Sequence, residues 1–112
     1  VGEAIAKAVK KLNHDVLIIA SSDFTHYEPY EQAKKKDLLA IQSIVNLNPE
    51  SILETVSREH LTICGPAAIA TMLYATLKLG AKSAKLMKYA TSGDITKDFY
   101  SVVGYAAIIV ER

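Results

Sequence analysis

The sequence predicts an α/β fold, an open, mostly parallel sheet with covering helices, and three observations carry that reading. Helix-period stretches alternate with short apolar runs along all 112 residues. Two of those runs, residues 16–21 (VLIIAS) and 102–110 (VVGYAAIIV), are apolar on both faces, as strands are in sheets covered on both sides. The resulting order of helix, strand, three helices, strand, strand is that of an α/β domain. With 50% hydrophobic and 22% charged residues, no repeat and no long linker, the chain reads as one globular domain.

Each element has a local cause. Near the start, Ile5, Ala8, Val9 and Leu12 fall at i, i+3, i+4 and i+7, the stripe of an amphipathic helix. That helix is already under way where the chain opens without an initiator Met, so upstream sequence is expected. Asn13, His14 and Asp15 then form a turn into the strand at 16–21. A second helix, from about 29 to 47, places Leu38, Ile41, Ile44 and Val45 inward and the run Lys34, Lys35, Lys36 on a solvated face. Asn48 and Pro49 read as the N-cap and first residue of a third helix, with Ile52, Leu53 and Val56 as its buried side. It should end near Arg58, Glu59 and His60, where a basic residue suits the negative end of the helix dipole. His14 in its turn and His60 at its helix end have ordinary explanations and are not assigned as ligands.

The fourth helix lies within ICGPAAIATMLYATLKLG, residues 63–80, and is bracketed by Pro66 in its first turn and Gly80 just past its last. Ala67, Ala68, Ala70 and Ala75 permit close approach to a sheet, and Ile69, Leu73 and Leu77 fill the contact. Residues 84–91 (AKLMKYAT) and 102–110 are the last two strands, with the polar loop 92–98 between them; Ser92, Gly93 and Asp94 read as a turn.

Charge and composition exclude several partners. A net charge of +1 gives no field to attract nucleic acid or an acidic membrane, and no apolar run approaches the roughly 20 residues that span a bilayer. Cys64 is the only cysteine, so no intrachain disulfide is possible. A soluble protein of the reducing cytoplasm is expected.

Three residues carry the chemistry. Asp23 and His26, in SSDFTHYEP, stand where an apolar strand should emerge into a loop, the position at which α/β sheets build their sites. Cys64 precedes a helix N-terminus, whose unpaired N–H groups and positive dipole end favour a thiolate. The plainer reading of a lone cysteine in an apolar setting is a small core hydrophobe. Tyr27, beside His26, either lines the same pocket or packs the loop.

Four blocks, SSDFTHYEPY, TICGPAAIA, KYATSGD and SVVGYAAIIVE, together resemble the C-terminal half of the Memo family, with SSDF-x-H and ICG the discriminating pieces. The resemblance implies that residues 1–112 are the C-terminal part of a single Memo-like domain. It implies a fold similar to that of the class III non-haem iron extradiol dioxygenases. It also implies a pocket holding iron, or copper, through two histidines and one cysteine. Matched motif by motif, Cys64 corresponds to the cysteine ligand, Asp23 to the pocket aspartate and His26 to an acid/base rather than a ligand. The family's two histidine ligands lie in its N-terminal half, which this chain does not contain. The metal site of the chain alone is therefore expected to be empty or weak, and the chain alone inactive.

Three functions follow as alternatives. The first is a mononuclear metal-dependent oxidoreductase, in which Cys64 is a ligand, His26 a general acid/base and Asp23 orients His26 by a hydrogen bond. The second is a metal- or peptide-binding module using the same pocket without turnover, because a thiolate ligand makes the metal softer. The third is a thiol hydrolase or transferase built on Cys64, His26 and Asp23. Expected partners are the N-terminal half of the same domain or a second copy, together with a small-molecule or peptide ligand.

Overall fold

A computed structural model describes residues 1–112. The chain runs α1 (Gly2–Lys11), β1 (His26–Glu28), α2 (Tyr30–Val45), α3 (Pro49–Arg58), α4 (Pro66–Lys78), β2 (Ser83–Thr91), α5 (Gly93–Thr96) and β3 (Val102–Glu111). Three strands in the order β1-β3-β2 form the sheet; α2 packs on one face of it, α3 on α2, α4 on α3, and α1 on α4. The α/β class agrees with the sequence.

The sheet differs from the mostly parallel one expected: both pairings, β1 with β3 and β2 with β3, are antiparallel. The connection explains it. Only residues 92–101 separate β2 from β3, and their one short helix, α5, is too small to carry the chain across a sheet face, as a parallel crossover requires. The chain therefore folds straight back. A bulge at Met87 separates the pairs Leu86 with Ile108 and Lys88 with Ala107.

A second difference concerns residues 16–21. They are apolar as read, but no strand forms there, because no other segment of this chain pairs with them. Leu17 and Ile19 are 81% and 78% exposed.

Helix boundaries follow their signals. The Asn48 side chain accepts a hydrogen bond from the Ser51 amide at 3.0 Å and Pro49 opens α3. Pro66 opens α4, and Gly80, with φ +96°, turns the chain out of it in a conformation that favours glycine. The core joins Ile41 and Ile44 of α2, Ile52 of α3 and Ile69, Ala70 and Leu73 of α4, with Leu86, Tyr89, Ala106, Ile108 and Val110 of the sheet packed against them. Each fully buried Ile or Leu contributes about 1.5–3 kcal/mol.

Four helix faces depart from the expected stripes; on α3, Leu53 is exposed and Thr55 is buried beside Ile52. On α1, Gly2 and Ala6 are buried, while Ile5 and Val9 are half-buried and Ala8 and Leu12 are exposed. Gly2 is required by the packing, since a β-carbon there would press on the Tyr74 side chain of α4. On α2 the buried line runs through Ala33, Asp37, Ala40, Ile41 and Ile44, and Leu38 is exposed. On α4, Ala67 and Ala68 face outward.

On β3, Val102 and Gly104 are buried beneath the helices, whereas Tyr105, Ala107 and Ile109 look out from the other face. No element of this chain covers that outer face. No helix is long and apolar enough to cross a membrane.

Candidate functional site

The segment 61–64 alternates in burial: Leu61 and Ile63 enter the core, while Thr62 and Cys64 face outward. That period-two pattern, just before α4, keeps the Cys64 thiol exposed, so it is not the core hydrophobe of the plainer reading.

Residues 21–25 run alongside it. The Asp23 amide donates to the Cys64 sulfur at 3.2 Å, and Ser22 Oγ lies 3.6 Å from the same atom. Ser22 Oγ also accepts from the Gly65 amide at 2.9 Å and donates to the Asp23 carbonyl at 2.8 Å. The serine thus joins the loop to the N-terminus of α4, where an orphan helix donor needs a partner. Gly65 suits this approach, because a β-carbon there would come within 3.1 Å of the Ser22 side chain.

His26 is held from the other side. Its ring Nδ1 lies 2.7 Å from the Thr62 carbonyl, and its amide donates to Thr62 Oγ1 at 2.8 Å. A carbonyl can only accept, so Nδ1 carries the proton and Nε2 of the neutral ring keeps its lone pair. Nε2 faces Asp23 Oδ2 at 3.6 Å, beyond hydrogen-bond length. The hydrogen bond expected from Asp23 to His26 is not made, and Thr62 orients the ring instead. Between His26 and Glu28 the β1 register slips by one residue, and the bulged residue, Tyr27, has φ +61°. Its exposed ring meets His26 edge-on at 5.8 Å between centroids.

Behind the loop, the Phe24 amide donates to the Gly104 carbonyl at 2.8 Å and the Gly104 amide to the Thr25 carbonyl at 2.9 Å. These bonds lay the loop along β3, so Asp23, His26 and Cys64 share one corner of the molecule. The residues the sequence reading missed are Ser22 and Thr62, each adjacent to a chosen residue or two positions from one.

The corner is a surface and not a closed cavity. Two depressions lie elsewhere, one of about 120 Å³ between α1 and Lys78 and one of about 230 Å³ on the outer sheet face around Lys88 and Tyr105. No group of three or more His, Cys, Asp or Glu side chains is placed to hold a metal ion, so the residues present do not fit a complete metal site. One thiol, one imidazole and one carboxylate are what the corner supplies. His14 and His60 are exposed on other segments, His60 with φ +51° past the end of α3.

Comparison with known proteins matches residues 1–109 to the family described as Memo-like protein. MEMO1 family proteins of Methanococcus vannielii and Methanocaldococcus jannaschii are each 50% identical over 111 residues, 99% of this chain and 39% of theirs. The MEMO1 family protein of Methanopyrus kandleri is 45% identical over 112 residues, 40% of its own length. The chain thus spans about two fifths of the length of these curated relatives. A match over nearly every residue, including those that build the corner, means that the chain belongs to the Memo-like family.

Proposed function

We propose that this chain supplies one wall of a mononuclear iron or copper pocket in a protein of oxidative, non-haem dioxygenase-like chemistry. The observation that carries the reading is the convergence of Cys64, Asp23 and His26 on one corner, the sulfur bound to the Asp23 amide and the imidazole presenting a bare Nε2. Cys64 is the one ligand this chain offers. His26 accepts and returns a proton at Nε2, while its Nδ1–H stays on the Thr62 carbonyl. Asp23 places its Oδ2 3.6 Å from that Nε2.

The remaining ligands come from outside residues 1–112, since the corner alone falls short of a ligand set. The additional length of the relatives is the natural source, and the same segment would cover the outer sheet face and pair with residues 16–21. A cytoplasmic setting is proposed on the lone, exposed thiol.

Calorimetric titration with Fe(II), Cu and Zn tests this, using the protein at the full length of its relatives and its Cys64→Ser variant. Loss of a ligand should weaken the preferred metal by at least about tenfold. Equal affinity in the two proteins would remove Cys64 as a ligand.

A further inference from the structure

Asp37 sits on α2 with no exposed surface. A buried carboxylate is costly unless its oxygens are satisfied, and an apolar residue of similar volume is often equally stable. No cation pairs with Asp37: the four ion pairs of the molecule all involve other residues. Its partners are instead three neutral donors. Oδ1 accepts from the Thr25 amide at 2.9 Å and from Thr25 Oγ1 at 2.6 Å, and Oδ2 accepts from Tyr89 Oη at 2.6 Å.

The strand above makes room for it. A β-carbon on Gly104 would overlap Asp37 Oδ2, and the same glycine exchanges main-chain bonds with Phe24 and Thr25. The buried carboxylate therefore grips, through both donors of one residue, the loop position immediately before His26. Asp37 of α2 thus joins Thr25 to Tyr89 of β2, while Gly104 of β3 bonds the Thr25 carbonyl directly.

We propose that Asp37 is a positioning residue for the site, fixing through Thr25 the turn that aims Nε2 of His26 outward and keeps Nδ1–H on Thr62. The proposal rests on the reading of His26 as the acid/base. With Thr25 released from Asp37, the turn keeps its main-chain bonds to Gly104 and the His26 contacts to Thr62 but loses its side-chain anchor in the core, and the ring samples both tautomers.

Side-chain nitrogen NMR of His26 in the protein, D37N and T25V tests it. The protein should show the single Nδ1–H tautomer. Both variants should show mixed tautomer signatures, with exchange of the Thr25 and His26 amide protons faster by about tenfold or more and that of the Leu73 amide unchanged. Ring signals identical to those of the unsubstituted protein, or equal acceleration at Leu73 and His26, would overturn the proposal, the latter because it marks a purely global effect. Should D37N fail to fold, T25V decides, since valine matches threonine in shape and leaves the amide bond to Asp37 in place. The readout needs neither metal nor turnover, so its failure is distinct from a failure of the metal-pocket reading.

Discussion

The amide nitrogen of Asp23 lies 3.2 Å from the sulfur of Cys64, across 41 residues of sequence. The contact uses the main chain of Asp23, which leaves its carboxylate free to face His26. One residue therefore serves the thiol with its backbone and the imidazole with its side chain. Anything that shifts the loop shifts both.

Ser22→Ala is expected to loosen this corner. The substitution removes the acceptor of the Gly65 amide at the start of α4 and leaves a helix donor unpaired. Loss of such a cap costs about 1 kcal/mol, within roughly 0.5–2. Urea unfolding should show a lower midpoint at unchanged slope. An unchanged midpoint would mean that water replaces the hydroxyl without loss.

Residues 1–112 alone should self-associate. Met87, Tyr105 and Ile109 are about half exposed and Leu17 and Ile19 more so, an apolar surface that calls for a covering layer. Sedimentation across a concentration series should reveal oligomers, reduced in the double variant Met87→Lys, Ile109→Lys. The protein at the full length of its relatives should stay smaller in subunit number at the same concentrations. A concentration-independent monomer for residues 1–112 would show that the outer face needs no cover.

Local signals in the sequence located most elements, and long-range ones were hidden. Pro49, Pro66 and Gly80 mark helix ends because their backbone restrictions act within a turn or two. The strand direction was misread because direction depends on what lies between two strands, and residues 92–101 lack a helix able to cross the sheet. Residues 16–21 have strand composition, yet a strand exists only through a partner. Asp23, His26 and Cys64 stood out by residue type. Thr62, which orients His26 through a main-chain carbonyl, left no mark of type; only the alternation of 61–64 betrays which side chains face out. Asp37 carries no mark of its burial in the sequence, since an aspartate in a helix ordinarily faces water.

Alkaline pH should weaken the fold through Tyr89. Burial first, then the hydrogen bond to Asp37 and its charge, push the phenol above its ordinary value of 10.0. The fold thus favours the protonated phenol. Its contribution is complete below pH 10 and is lost as pH rises beyond that, where the unfolded chain releases the proton first. Tyr89→Phe lacks this term and also the donor to Asp37, so it should be less stable than the unsubstituted protein near neutrality. The gap should narrow above pH 10 in urea midpoints. A constant gap from pH 8 to 11 would contradict the assignment.

Gly104→Ala should destabilise through contact with Asp37. Gly104 has no left-handed φ, so alanine costs nothing in backbone conformation there. The cost is steric: its β-carbon would overlap Asp37 Oδ2 and come within 3.0 Å of Tyr89 Oη. The carboxylate has no space to retreat, since it is fully buried and bound to Thr25. Overpacking of this kind costs about 1–3 kcal/mol. Asp37→Ala removes the obstructing oxygen and strands the Thr25 and Tyr89 donors, so it is destabilising alone. Combined, the two substitutions should cost less than the sum of their separate effects, because alanine at 104 then enters the space that Asp37 vacates. Contacting residues show such coupling at about 0.5–3 kcal/mol, and a strictly additive double-mutant cycle would refute the close approach of strand and carboxylate.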